Sequence, residues 1–184
     1  AAGVEIGVIV GAGNIWRGRQ GTAMDRAQAD HMGMLATAIN ALALQDGFRT
    51  AGIDTVVMSA VEMPAYAETF TVRGANEALA AGKLVIFACG LGQPYFSTDT
   101  AAVLRAAEIG ADAVLMAKNI DGVYTADPRK DPSAVRYDEI TYQEILKKEL
   151  KALDLSATTF CMENNIRCYA FELKDPNNIY RVIM

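Results

Sequence analysis

The segment Leu84-Val-Ile-Phe-Ala-Cys-Gly-Leu-Gly-Gln-Pro-Tyr-Phe-Ser-Thr-Asp-Thr-Ala-Ala102 constrains the fold more than any other part of this chain. Its opening is an unbroken apolar run rich in β-formers, the pattern of a parallel strand buried on both faces. A loop carrying Gly90, Gly92 and Pro94 follows, then Ser97-Thr98-Asp99. From Thr100 to Ile109 the spacing is helical, and Gly110 stands at the C-cap position. A strand, a glycine loop and a helix start in series aim backbone N–H groups and the positive end of a helix dipole at one point. In α/β sheets ligands bind at the carboxyl ends of parallel strands. The expectation is a site for a phosphorylated small molecule.

Further apolar runs at Val4–Val10, Asp54–Ser59, Asp112–Ala117 and Arg167–Phe171 read as strands. A long helical pattern fills Met24 to Phe48, with Thr22-x-x-Asp25 resembling a capping box at its start. Pro64 is placed to open a helix ending before Gly82, with an interruption at Gly74. Thr141-Tyr-Gln-Glu144 is a better capping box, opening a short helix through Lys148, and Asp175-Pro176 caps another near the C-terminus. Strands alternating with helices predict right-handed β-α-β crossovers and a mainly parallel sheet. The exception, 121–137, is rich in Asp, Pro and Gly and reads as a long loop or hairpin. With no repeat or linker, the 184 residues are expected to form a single domain.

Composition removes several classes of function. The net charge of −5 leaves no basic footprint for nucleic acid, although Arg17, Arg19 and Arg26 can serve a phosphate ligand. Three cysteines, Cys89, Cys161 and Cys168, lack C-x-x-C spacing, which argues against a disulfide framework or a zinc site and suits a reducing cytosol. All three read as buried structural thiols. No run approaches the ~20 apolar residues of a membrane span, and no signal peptide is visible.

Five segments carry chemistry. In Val10-Gly-Ala-Gly-Asn-Ile-Trp-Arg-Gly18, Gly11 and Gly13 follow a strand, so the backbone can approach a phosphate while Asn14 and Arg17 donate to its oxygens. A dinucleotide-binding fingerprint does not fit, because the third glycine is misplaced and no acidic residue ends a second strand. A plain glycine turn is the even alternative. In Met24–Met34, Asp30 can accept ribose hydroxyls, against the commoner reading of a solvated helix carboxylate. Gly33 inside a helix costs ~1 kcal/mol relative to alanine and asks for close packing or ligand approach. His31, the only histidine, is assigned no role. Ser97, Thr98 and Asp99 serve either an anion site or an ordinary N-cap. In Lys118–Pro128, Tyr124 can stack on a purine. Asp154, before a helix, is either a cap or an organiser of a cation, and with Asp99 is the best candidate pair for phosphoryl transfer.

Taken in order, Gly-Ala-Gly-Asn-Ile-Trp-Arg-Gly, Met-Asp-Arg-x-x-x-Asp-His-Met-Gly-Met-Leu-Ala-Thr, Gly-x-Gly-x-Pro-Tyr-Phe-Ser-Thr-Asp-Thr-Ala-Ala and Asp-Gly-Val-Tyr-x-x-Asp-Pro resemble the bacterial uridylate (UMP) kinases of the amino-acid kinase superfamily. The resemblance spans essentially the whole chain. It implies an α/β fold, a three-layer αβα sandwich with a mainly parallel central sheet, and ATP-dependent phosphorylation of UMP to UDP in pyrimidine biosynthesis.

Carried over by position, the resemblance assigns UMP to Ala12, Asp30, Leu91, Gly92, Gln93, Pro94, Tyr95, Phe96, Ser97 and Thr98. Ala12 replaces the middle glycine of the family's Gly-Gly-Gly-Asn loop, a change that a backbone contact survives. Gly13 and Arg17 are assigned to phosphates where the two nucleotides meet. Lys118, Asn119, Tyr124 and Asp127 are assigned to ATP, and Asp99, Asp154 and Arg17 to catalysis. The resemblance further implies Mg2+ with no metal ligands assigned to the chain, a homohexamer, GTP or UTP as effectors, and a cytoplasmic location. The Arg-Gln-Gly-Thr-Ala stretch after Gly18 is slightly shorter than the family's loop. The family's opening strand and Lys-Leu-Ser-Gly-Glu loop, with its phosphate-gripping lysine, have no match here. The chain also stops at Arg-Val-Ile-Met before the expected Gly-Thr and last strand. The expectation is a chain incomplete at both ends. Two rivals stay open: a sister kinase acting on a carboxylate or carbamate, and a non-catalytic nucleotide-binding protein of the same fold.

Overall fold

A computed structural model describes residues 3–17, 24–150 and 152–184. The chain divides into two compact units, Ala1–Ala102 and Val103–Met184. It is an α/β protein in which, among the described residues, the β-strands pair in parallel.

The first unit is built on strands β1 (Gly7–Ile9), β2 (Thr55–Ser59), β3 (Glu68–Thr69) and β4 (Leu84–Ala88), in the order β1-β4-β2-β3. β4 has a neighbour on each side, with Gly7 opposite Val85 and Thr55 opposite Leu84. This interior position explains its continuous apolar run: Val85 and Ile86 are completely buried, and each such side chain contributes roughly 1.5–3 kcal/mol. Helix α1 (Arg26–Thr50) covers the sheet through Ala29, Ala36, Thr37 and Ala41, small residues that let it lie close. Ala41, Val57, Ile86, Ala88 and Cys89 form one buried cluster, joined by Val8, Met34 and Phe48.

The starts of the first two helices differ from the sequence reading. α1 begins at Arg26, and Asp25 itself caps it by accepting the Gln28 N–H at 3.0 Å; Thr22 lies outside the described residues. No helix starts at Pro64. A turn there leads into β3, and helix α2 (Val72–Ala80) begins only after Thr71, whose hydroxyl accepts the Gly74 N–H at 3.0 Å. A Cβ on Gly74 would stand 2.9 Å from that hydroxyl, so the glycine permits the cap and does not interrupt the helix.

Helix α3 (Thr98–Ile109) starts two residues earlier than predicted, and the division between units falls inside it. Gly110, at φ +69°, ends it as expected, with the Ala111 N–H returning to Ala106 O at 2.9 Å.

The second unit pairs β5 (Val114–Lys118) with β6 (Cys168–Glu172), Val114 opposite Cys168 and Lys118 opposite Glu172. Helices α4 (Tyr142–Lys147), α5 (Leu155–Asn164) and α6 (Asn177–Ile183) complete it. The capping box on α4 forms as read, and Asp175 Oδ1 accepts the Asn177 N–H at 3.0 Å to start α6. Residues 121–137 fold back on themselves through an antiparallel bridge between Tyr124 and Arg136. All three cysteines are free thiols; Cys89 and Cys161 are buried and Cys168 is half-buried. Cys161 and Cys168 lie with sulfurs 3.6 Å apart, and the contact with Cys168 followed by burial pushes the Cys161 thiol well above its ordinary pKa.

Candidate functional site

The loop after β1 is tied down from both ends. The Ile15 and Trp16 amides donate to Ala12 O at 2.9 and 2.8 Å, and Asn40 Nδ2 on α1 donates to Gly11 O at 2.7 Å. Asn14, read as a phosphate donor, instead exchanges amide hydrogen bonds with Asn40 at 3.1 and 2.8 Å, and so is committed within the fold. Arg17 Nε donates to Gly13 O at 3.0 Å. The Trp16 indole donates to Ala29 O at 2.8 Å, and its Cδ1 lies 3.8 Å from where a Cβ on Gly33 would stand. The mid-helix glycine therefore sits against the lone tryptophan.

The loop after β4 is equally constrained. Thr37 Oγ1 donates to Met34 O and accepts the Cys89 N–H, each at 2.7 Å, which pins the end of the strand to α1. Cys89, Gly90, Gly92 and Tyr95 all have φ between +57° and +72°. At Gly92 only glycine fits, because a Cβ would stand 3.0 Å from Ala60 O. Tyr95 carries a side chain in that same conformation, which costs roughly 1–2 kcal/mol and has to be held by contacts. Its N–H donates to Asp30 Oδ2 at 2.8 Å. Arg26 Nε donates to the same oxygen at 2.8 Å, and its guanidinium carbon lies 5.3 Å from the Tyr95 ring centroid. Ser97 Oγ accepts the Thr100 N–H at 3.1 Å and caps α3, so the plain N-cap reading holds for that hydroxyl. Asp99 sits in the first turn of α3, where the helix dipole favours a carboxylate.

Between these two loops and α1 lies a cavity of about 410 Å³. Of the predicted residues, Ala12, Gly13, Arg17 and Asp30 line it, as do Leu91, Gln93, Phe96, Ser97 and Thr98. Gly92, Pro94, Tyr95 and Asp99 do not line it. The wall also includes Trp16, Arg26, Gly33, Met34, Thr37, Cys89 and Gly90. Arg26 was legible as the helical i,i+4 partner of Asp30, and Trp16 as an aromatic three residues beyond the glycines. Nothing in the sequence marked Thr37.

In the second unit, Lys118 ends β5, and its carbonyl accepts the Leu173 N–H at 3.0 Å. Arg129 fixes the following turn, donating from Nη2 to Asn119 O at 3.1 Å and from its backbone N–H to Asp127 Oδ1 at 3.0 Å. Tyr124 donates its phenol proton to Asp121 Oδ1 at 2.8 Å, a bond that raises the phenol above its ordinary pKa. A second hollow of about 280 Å³ lies among Asp121, Arg136, Phe171, Glu172 and Arg181, and none of Lys118, Asn119, Tyr124 or Asp127 lines it. Asp154 Oδ1 accepts the Ala157 N–H at 2.9 Å and caps α5. Of its two sequence readings, the cap is realised.

Residues 1–171 match the sequence model of the amino acid kinase family. The chain belongs to the amino acid kinase family. Solved structures of this kinase fold agree with it closely. A UMP kinase from Ureaplasma parvum is 39% identical, with a TM-score of 0.92 over 96% of this chain and 77% of that one. A UMP kinase from Bacillus anthracis is 33% identical, with a TM-score of 0.95 over 98% of this chain and 75% of that one. A uridylate kinase from Archaeoglobus fulgidus is 28% identical, with a TM-score of 0.70, and the match covers 97% of this chain and 80% of that one. The protein is thus a kinase of this superfamily. Among the described residues no helix is long and apolar enough to cross a membrane.

Proposed function

We propose that this amino acid kinase transfers the γ-phosphate of ATP to UMP, giving ADP and UDP, within pyrimidine nucleotide synthesis in the cytoplasm. The observation that carries the reading is the cavity of the first unit. Its glycine loop, its arginines and the start of α3 suit a phosphate, while Asp30 offers a carboxylate to ribose hydroxyls. The hydrogen bonds from Arg26 and Tyr95 both fall on Oδ2 of Asp30, so Oδ1 is proposed to meet the ligand. UMP kinases among the similar structures support the same acceptor.

In the reaction, a phosphate oxygen of UMP attacks the γ-phosphorus in line. The bond from that phosphorus to the bridging oxygen breaks, and ADP leaves with the electron pair. The acceptor is already an anion, so no general base is required; positioning and charge neutralisation supply the catalysis. Arg17 is proposed to hold the phosphates with the Gly13 amide, and Asp99 and Asp154 to serve the transferring group. Lys118, Asn119, Tyr124 and Asp127 are proposed to receive the adenosine of ATP, Tyr124 by stacking. Among the described residues no group of three or more His, Cys, Asp and Glu stands ready to hold a metal. Magnesium, which the resemblance implies, would supply neutralisation of charge on the transferring group.

The match over residues 1–171 supports one kinase domain that includes both units. Leu35, Ile39 and Leu42 form an exposed apolar stripe at helical spacing along α1, which supports a homo-oligomer, a hexamer by resemblance. Light scattering on the full-length protein tests that assembly, and a monomeric mass contradicts it. Asp30→Asn tests the acceptor site. Weakening a charge-assisted contact to ribose is expected to raise the KM for UMP about tenfold or more. An unchanged KM contradicts the UMP assignment and favours the sister kinase acting on a carboxylate or carbamate.

A further inference from the structure

Arg26 lines the cavity and was read as able to serve a phosphate, yet its side chain reaches Asp30 and Tyr95. Its side chain is 38% exposed and that of Asp30 17%, so the ion pair is partly withdrawn from water. Three contacts converge on one place. Arg26 Nε and the Tyr95 N–H both donate to Asp30 Oδ2 at 2.8 Å, and the guanidinium lies over the Tyr95 ring at 5.3 Å. Tyr95 is the non-glycine residue held at φ +72° in the loop facing that cavity.

We propose that Arg26 is a positioning residue that locks Asp30 and Tyr95 together, so that Asp30 presents Oδ1 to the acceptor nucleotide and residues 91–97 hold their shape around it. This rests on the acceptor-site reading above. With Oδ2 committed to two internal donors, the carboxylate cannot rotate freely, and its second oxygen keeps a fixed direction. The cation over the ring helps hold a backbone conformation that a tyrosine otherwise avoids. The positive charge also offsets the Asp30 carboxylate in a cavity that must admit a phosphate-bearing ligand. Lysine cannot reproduce this arrangement, because it lacks both the Nε donor and the planar group that lies on the ring.

The test uses the full-length protein, with Trp16 fluorescence as the binding signal. Trp16 is the only tryptophan in the sequence and lines the cavity. Arg26→Gln is expected to weaken UMP binding about 10- to 100-fold, the loss of one charge-assisted contact. Arg26→Lys should fall between it and wild type, while ATP affinity changes less than about twofold, since no contact to ATP is assigned to Arg26. In an Asp30→Asn background, Arg26→Gln should add little, since its effect passes through Asp30. UMP binding as tight in both Arg26 variants as in wild type overturns the inference. So does an undiminished loss in the Asp30→Asn background, or an equal loss of UMP and ATP binding in both variants. A wild-type protein that ignores UMP but binds CMP, with binding still lost in Arg26→Gln, overturns the UMP reading and leaves the role of Arg26 standing.

Discussion

Gly33 stands inside helix α1 and on the wall of the cavity. Glycine in mid-helix is unfavourable by about 1 kcal/mol against alanine, yet the nearest atom to an added methyl would be Trp16 Cδ1 at 3.8 Å, an ordinary contact. Alanine therefore fits, and Gly33→Ala is expected to stabilise the fold by up to about 1 kcal/mol in chemical denaturation. The methyl would stand on the cavity wall, so UMP binding should weaken about tenfold. A variant that is both more stable and undiminished in binding would remove Gly33 from the site. The sequence flagged this glycine because it breaks a local expectation for a helix, and Asp30 as a helix carboxylate able to accept ribose hydroxyls. It could not flag the convergence of Arg26 and Tyr95 on Asp30. Residues 26 and 30 are helical neighbours, but the meeting with 95 depends on how α1 packs against β4. The Asn14–Asn40 amide pair was hidden for a related reason: the partners are 26 residues apart.

At the scale of elements, the helix starts were the most legible features, because capping is a local hydrogen-bond requirement written in adjacent residues. Among the starts that moved, α1 begins after its cap Asp25, α2 begins after its cap Thr71 and not at Pro64, and α3 begins at Thr98, two residues before the predicted Thr100. Caps also separate structure from chemistry at Asp154. Asparagine caps a helix about as well as aspartate, whereas alanine costs about 1 kcal/mol. Asp154→Asn should keep the thermal midpoint near wild type yet lower kcat at least about tenfold if the carboxylate serves transfer. Asp154→Ala should lose both stability and kcat. Full turnover in the asparagine variant would reduce Asp154 to a cap.

The capping box of α4 gives a pH signature. Its hydrogen bonds from Thr141 hold the Glu144 carboxyl below the usual glutamate range. A depressed value in the folded state means stability that is present above the ordinary glutamate pKa and lost as pH falls through the lowered one. Thr141→Ala, which removes the cap, should destabilise the protein at neutral pH. The difference from wild type should narrow as denaturation is measured at progressively acidic pH. A gap that is constant down to the acid limit would mean that Glu144 takes no part in the box.

For the whole molecule, the alternation of strands and helices was enough to predict an α/β fold with parallel pairing, because β4 and β2 announce their burial on both faces. The division into Ala1–Ala102 and Val103–Met184 was not legible, since it falls within a single helical pattern and no linker marks it. Membership of the amino acid kinase family fixes the class of reaction, and the proposed acceptor rests on the first unit's cavity. Glycine loops and a helix start suit any phosphate, while Asp30 asks for a sugar hydroxyl as well. The most direct measurement is ADP release by the full-length protein with ATP and, in turn, UMP, CMP and N-acetylglutamate. The account predicts a kcat/KM for UMP at least about a hundredfold above either competitor, the discrimination available when a site built for one ligand's polar groups meets another's. Comparable turnover of N-acetylglutamate, or tight UMP binding with no ADP released, would contradict it.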